Sequence, residues 1–526
     1  MVRFLSAEEA IDLIRDGATV GVSGFIGAGY PEHLARKIEE KFLATEHPQK
    51  LTVVYSAGMG DYGSRGMNHF GHAGLVKRII GGHYGLVPRF QELVAKNEVE
   101  AYCWPQGVVA HFYRAVAGNR PGVITKVGLG TFVDPRVEGG KLNDCTREDL
   151  IKVLEIDGEE WLLYKAFPID VALIRGTSAD ENGNISMEKE AVLTEALYIA
   201  EAAKRSGGIV IAQVERIVRS GSIPPKQVKV PGAVVDVVVV APAEDHPQTF
   251  GSPDYNACWA GEIRVPMGQV PPIPLDERKV IARRAAMELR PASIVNLGFG
   301  IPEGVAAVAA EEGIQNEMLL TVEAGAFGGV PAAGLSFGAT YNAEAIFDHA
   351  QQFDFYDGGG LDITFLGLAQ VDREGNINVS KFGRVVGPGG FINIAQNTPK
   401  VVFCGTLTAG GLKIEVKDGR VGIVQEGKFK KFVNKVEQIT FSGKYAREVG
   451  QKVLYITERA VFELQQDGLV LTEIAPGIDL HEHVLSQIEF PVKIAEDLRT
   501  MDQRIFLDKP MGLKDDIRSG DSCLVK

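Results

Sequence analysis

DVALIRGTSADENGNIS, at residues 170–186, returns as DITFLGLAQVDREGNIN at residues 362–378 without a gap. The offset is 362 − 170 = 192 residues, and it lays Asp180, Gly183, Asn184 and Ile185 on Asp372, Gly375, Asn376 and Ile377. Each stretch opens on a short apolar run, the pattern of a buried strand, and ends in turn chemistry. The same offset carries the apolar residues 209–212 onto 401–404. Upstream, ATVGVSGF (18–25) resembles ASIVNLGF (292–299), and the IGAGYPE that follows is shortened to GIPE in the second copy. Coincidental turn chemistry would have to produce all these matches in one order, so the chain is read as an internal duplication.

Each copy begins with a helix signal. Ser6-Ala7-Glu8-Glu9 has the spacing of a capping box, and Asp276 precedes ERKVIARRAAMEL as a helix cap. Strand, glycine turn and helix follow. Residues 241–274 are rich in Pro, Gly and acidic residues and read as a linker. A chain of 526 residues is too long for one core. The expected organisation is a first domain over 1–270, linker included, and a second over 271–526. Strands alternating with helical patterns predict an α/β fold of two tandem related domains, each a mainly parallel sheet flanked by helices.

Composition excludes several functions. Net charge is −13, with no dense basic stripe, which argues against nucleic acid. The short basic run KFKK at 428–431 reads as a solvated face. No apolar run is long enough to span a bilayer, and MVRFLSAEEA lacks the apolar core of a signal peptide. Five scattered cysteines without CxxC spacing argue for a reducing cytoplasm and against a disulfide frame or a zinc site.

The second copy carries the candidate chemistry. In MLLTVEAGAFGGVP (318–331) an apolar strand delivers Glu323 into a glycine-rich turn, at the strand end where open α/β sheets place ligands. The bland alternative is a solvated glutamate. NLGFGIPEG (296–304) follows another strand and opens a helix, with Pro302 suited to the first turn and free amides suited to an anion or oxyanion. VVGPGGFINI (385–394) is a third glycine loop. The first two together mimic a dinucleotide fingerprint, with Glu323 on a ribose, but the spacing departs from G-x-G-x-x-G. A second glycine loop also follows Glu323 where a helix would be due. No G-x-S-x-G elbow occurs. His69, His72 and His83 lie close in sequence without HExxH spacing or a neighbouring carboxylate pair, so structural or substrate-loop roles are favoured over a metal. Trp104 reads as interface or core packing.

These pieces together resemble the class I CoA-transferases, in particular the single-chain acetate/propionate group. The similarity runs through GVSGFIGAGYPEHL near the start, TKVGLGTFVDPR (125–136), FPIDVALIRGTSADENGNIS (167–186), QFDFYDGGGLD (352–362), GGFINIAQNTPKVVFCGTLTAGG (389–411) and LTEIAPGIDL (471–480). The family's fused α- and β-type halves match the duplication.

The resemblance implies roles. Glu323, in an E-x-G turn, is the expected nucleophile. Many class I members have Ser-Glu-Asn-Gly here, whereas this chain has Val322-Glu323-Ala324-Gly325, so no role for that Asn carries over. Glu323 would attack an acyl-CoA to give a mixed anhydride. The CoA thiolate would then form a glutamyl-CoA thioester, and an incoming acid would reverse both steps. Oxyanion donors are expected at the Phe299 amide and at Gly389 or Gly390. Gly298, Phe299, Gly300, Ile301 and Pro302 would line the CoA channel. Lys381 or Arg384 could meet a CoA phosphate, although ordinary surface charge is the favoured reading. No permanent cofactor or metal is expected: CoA is a substrate, covalently attached during turnover. The implied enzyme transfers CoA between short-chain acyl-CoA and acetate, propionate or a similar acid, in the cytoplasm, as a homo-oligomer, tetrameric by resemblance. Two rivals remain open: an acyl-CoA hydrolase of the same fold and a silent binder of CoA esters.

Overall fold

The computed structural model describes residues 2–266 and 273–519; the expected boundary at 270/271 and Cys523 lie outside the described residues. The chain forms two compact units. The first gathers Met1–Val265, Val322–Asp354 and Lys381–Asn393, the second Pro266–Thr321, Phe355–Ser380 and Ile394–Lys526.

The sheet of the first unit contains β1 (Arg3–Phe4), β2 (Thr19–Val22), β3 (Leu51–Tyr55), β4 (Val76–Gly81), β5 (Glu100–Cys103), β6 (Val171–Arg175), β7 (Ile209–Val214) and β8 (Val237–Val240). Their order is β1-β8-β7-β6-β2-β3-β4-β5. Every neighbouring pair is parallel. Strands covered on both faces need no polar alternation, and LTVVY and VALIR are accordingly buried at every residue. Helices Gln106–Ala117 and Ala196–Arg205 pack on each other, and the second also packs on β6. The capping box at Ser6 forms: the Ser6 hydroxyl accepts the Glu9 amide at 3.2 Å, and the Ser6 amide donates to the Glu9 carboxylate at 2.9 Å. Trp104 is fully buried against Phe112 and Tyr164.

The main sheet of the second unit contains β9 (Ser293–Leu297), β10 (Met318–Thr321), β11 (Ile363–Gly367), β12 (Lys400–Cys404), β13 (Lys452–Ile456), β14 (Ala460–Gln465), β15 (Gly468–Ile474) and β16 (Lys493–Thr500). They run β10-β9-β11-β12-β13-β14-β15-β16. Pairing is parallel from β10 to β13, antiparallel on both sides of β14, and parallel between β15 and β16. Asp276 caps the helix Glu277–Ala286, accepting the Arg278 and Lys279 amides at 3.0 Å each.

The duplication shows in matching strands. β6 and β11 match end to end at the offset of 192, as do the short strands Ile185–Ser186 and Ile377–Asn378. The turns between them are built alike. Asp180 accepts the Asn184 amide at 2.9 Å and Asp372 accepts the Asn376 amide at 3.1 Å, a carboxylate standing in for strand pairing in a tight turn. The order β8-β7-β6-β2-β3 has its counterpart in β13-β12-β11-β9-β10. β10 therefore corresponds to β3, and Ala57, the second residue after β3, stands in the first copy where Glu323 stands after β10.

One surface expectation is corrected. Lys428 and Lys430 are exposed, but Lys431 is buried, and burial pushes its amine down to about 8. Its amine reaches in beneath Gly405, where a Cβ would lie 2.8 Å from Nζ, and toward Glu458, whose charge only partly offsets the burial.

Candidate functional site

Glu323 sits on a turn that glycine makes possible. The Gly325 amide donates to the Val322 carbonyl and the Val322 amide to the Ala326 carbonyl, both at 2.9 Å. Gly325 has φ of +119°, and a Cβ there would lie 2.1 Å from the Phe347 carbonyl oxygen. The Phe347 amide in turn donates to the Gly325 carbonyl at 2.9 Å. Two backbone segments thus touch at a contact only glycine allows. Glu323 itself is partly buried.

Ala324 is 2% exposed and packs in a cluster with Phe25, Ala57, Val322, Trp259 and Ala339. This surrounding accounts for the alanine: a carboxamide would enter an apolar cluster without evident partners. Ala324→Asn is expected to lower stability by about 1–3 kcal/mol, read as a fall in urea midpoint at unchanged slope. A variant as stable as the parent would disprove the account.

The loop with Gly389 and Gly390 belongs to the same unit. The Gly389 amide donates to the Gly82 carbonyl at 2.9 Å, and the Gly389 carbonyl accepts the Gln106 amide at 3.1 Å. The Val386 carbonyl accepts the Tyr84 amide at 2.7 Å and the Gly85 amide at 3.0 Å. Gly387 and Gly389 both have positive φ, and a Cβ on Gly387 would lie 2.9 Å from the His83 Cα. The loop is pinned across the carboxyl ends of β4 and β5, and the helix Phe391–Asn397 starts one residue after Gly390. Gly389's amide is already used, a distinction invisible in the string GPGGF.

Gly298, Phe299, Gly300, Ile301 and Pro302 belong to the second unit. The Gly298 amide donates to the Phe365 carbonyl at 2.8 Å, which extends β9 by one residue against β11. Gly300 takes φ of +92° and starts the single turn Ile301–Glu303, with Pro302 in it, before the helix Gly304–Glu311. The Phe299 ring is 62% exposed. Lys381 and Arg384 lie on the hairpin Lys381–Phe382 with Arg384–Val385; Lys381 is partly buried and Arg384 is exposed.

His83 lies apart from the other two histidines, which share Glu39. His83 lies between Gly58 and Gly85, and burial pushes its imidazole down to about 4, so it is neutral at ordinary pH. His69 has the carboxylate pair that its sequence neighbourhood lacked: Glu32 on Nε2 at 2.9 Å and Glu39 on Nδ1 at 2.5 Å, both from the helix Glu32–Thr45. His72 and Arg89 also bond Glu39. Among the described residues, no group of three or more His, Cys, Asp or Glu is arranged to hold a metal. Burial alone would lower His69, but the bonds to Glu32 and Glu39 outweigh it and raise the imidazole to about 9. A raised folded value stabilises fully below the free value of about 6.5 and is lost as pH climbs through 9, a contribution on the order of 3 kcal/mol. Thermal melts should therefore show Tm falling between pH 6.5 and 9.5, with a flatter profile in His69→Gln. Parallel profiles would refute the assignment.

Glu323 thus stands on a glycine turn just after a strand of a mainly parallel sheet. The family described as Coenzyme A transferase matches residues 4–241. The chain is 50% identical over 530 residues to caffeate CoA-transferase of Acetobacterium woodii, covering 98% of this chain and 99% of that protein. It is 46% identical over 514 residues to acetate CoA-transferase YdiF of Escherichia coli K12, covering 97% and 96%. Its structure resembles that of the acyl-CoA transferase YdiF from Escherichia coli O157:H7 in a thioester complex with CoA, with a TM-score of 0.92, 45% identity and 97% of each chain covered. The chain belongs to the coenzyme A transferase family, in family I, and is a CoA-transferase.

Proposed function

We propose that this enzyme exchanges CoA between a short-chain acyl-CoA and a short-chain carboxylic acid, acetate or propionate, through a glutamyl-CoA thioester on Glu323. The observation that carries the reading is the Glu323 turn, held by Gly325 against Phe347, in a chain 45% identical to an acyl-CoA transferase solved as a CoA thioester complex. Glu323 adds to the acyl carbonyl, and the thiolate leaves with its electron pair to give an acyl-glutamyl anhydride. Thiolate attack on the glutamyl carbonyl then releases the first acid and leaves CoA on the enzyme. The second acid runs the sequence backward. Energy stays in the activated acyl bond because only carboxylates and the CoA thiolate, never water, act as nucleophiles.

Each addition builds an oxyanion that needs a positioned N–H. With the Gly389 amide committed to Gly82, the Gly390 amide is the donor we assign from the first unit. The Phe299 amide is assigned as the second donor by family resemblance, with Gly298, Phe299, Gly300, Ile301 and Pro302 lining the CoA channel. We extend the reading to a cytoplasmic homo-oligomer, tetrameric by the same resemblance. Among the described residues, no helix is long and apolar enough to cross a membrane.

Intact-protein mass spectrometry after incubation with acetyl-CoA tests the mechanism. A mass gain of CoA size that maps to Glu323 is expected, and its lasting absence overturns the covalent route. A second acceptor reading follows from the caffeate CoA-transferase relative. Competition between acetate, propionate and caffeate as acceptors decides it: preference for caffeate would replace the short-chain assignment.

A further inference from the structure

A buried chain of side chains connects the Glu323 turn to the Gly389 loop. Ser56, at the end of β3, donates its hydroxyl proton to Glu195 Oε1 at 2.5 Å. Glu195 Oε2 lies 2.8 Å from His349 Nδ1, and His349 Nε2 lies 2.7 Å from the Gln106 carboxamide nitrogen. Ser56, Glu195 and His349 are completely buried and Gln106 is 2% exposed. The carboxamide nitrogen can only donate, so Nε2 accepts and the ring proton sits on Nδ1, pointing at Glu195. That leaves the Gln106 carboxamide oxygen facing the glycine loop, where it would lie 3.4 Å from a Cβ on Gly389.

Two members of this chain adjoin the proposed chemistry. The Gln106 backbone amide holds the Gly389 carbonyl at 3.1 Å, and the next amide, Gly107, donates to the Asn393 side chain at 3.1 Å in the helix that follows Gly390. His349, within the chain, stands two residues after Phe347, whose amide holds the Gly325 carbonyl, and its own amide bonds Thr194, next to Glu195. Phe25 meets the imidazole nearly edge-on at 5.9 Å and Phe353 lies at 5.4 Å. An imidazole so walled is held by bonds that a low dielectric strengthens, and a missing partner would be costly.

We propose that Glu195 and His349 are positioning residues for CoA transfer: the carboxylate fixes the ring, the ring fixes the Gln106 carboxamide, and together they keep the nucleophile turn and the Gly390 amide in register. The proposal rests on Glu323 as nucleophile and Gly390 as donor. Neither Glu195 nor His349 touches the reacting atoms in this scheme. Their effect appears in kcat, because misplacing a donor by a fraction of an ångström weakens only transition-state contacts.

Kinetics of His349→Asn and His349→Gln in the full-length enzyme test this. Asparagine offers a group near the Nδ1 position but none at Nε2. Glutamine reaches the Nε2 position and can accept the Gln106 N–H. His349→Asn is expected to lower kcat by about 10- to 100-fold while KM for acetyl-CoA changes less than about 3-fold. His349→Gln should restore most of the loss. Equal losses in both variants, or an unchanged kcat in His349→Asn, overturn the proposal. If His349→Asn does not fold, Gln106→Met takes its place: it should show the same drop, and adding His349→Gln should lower kcat no further. Independent, multiplying losses would refute the chain. Throughout, the CoA adduct on Glu323 should still form, more slowly, in these variants. Its absence from the parent enzyme would count against Glu323 itself and is read separately.

Discussion

Glu323→Ala is expected to abolish transfer, lowering kcat by on the order of 10⁴-fold or more, while the protein keeps its fold. The loss is large because no other group can store the thioester's energy: a water in the vacated space would hydrolyse the acyl-CoA and end the exchange. The side chain is partly buried and follows a strand whose pairing does not involve it, so truncation should leave Tm within a few degrees. Coupled measurement of transfer and of acceptor-free hydrolysis reads both outcomes. Transfer at the parent rate in Glu323→Ala would dismiss the covalent mechanism. Acceptor-free turnover rivalling transfer in the parent would instead favour a hydrolase of the same fold.

Gly325→Ala should act through geometry with Glu323 intact. A Cβ at this position would sit 2.1 Å from the Phe347 carbonyl oxygen, and the residue holds φ of +119°, where L side chains are strained. The neighbour is backbone and cannot swing away. The turn, or the segment that carries Phe347, must shift, at a cost of about 2–4 kcal/mol. A shift of that size moves the carboxylate away from its line of attack, for an expected fall in kcat of about 100-fold. Urea unfolding and the transfer assay give the two values. A variant with parental stability and rate would show that the close contact is not what positions Glu323.

Much of the fold is legible in the chain because parallel strands buried on both faces must be continuous apolar runs, and runs of that kind can be matched by eye. VALIR and ITFLG at the offset of 192 became β6 and β11 with identical limits, and Ser6 and Asp276 cap the helices they were expected to cap. Local chemistry of that sort needs only near neighbours. The Glu323 turn was visible on the same grounds: an apolar strand, one carboxylate, then glycines.

What the sequence by itself determined is therefore the duplication, the strand–turn–helix units, and a carboxylate on a glycine turn as the candidate nucleophile. Tertiary structure alone decided which backbone groups the turns leave available. Gly389 and Gly390 are equivalent in the string, and only the approach of Gly82 from β4 uses one of their amides. It alone grouped Val322–Asp354 and Lys381–Asn393 with the first compact unit, gave His69 its two carboxylates from a helix 30 residues or more upstream, and turned Lys431 inward. It alone joined Ser56, Gln106, Glu195 and His349, partners separated by up to 293 positions. The reason is physical: propensity and periodicity are set within a few residues, whereas a buried polar group takes its partner from whichever element packs beside it, and that choice is made only when the chain closes on itself.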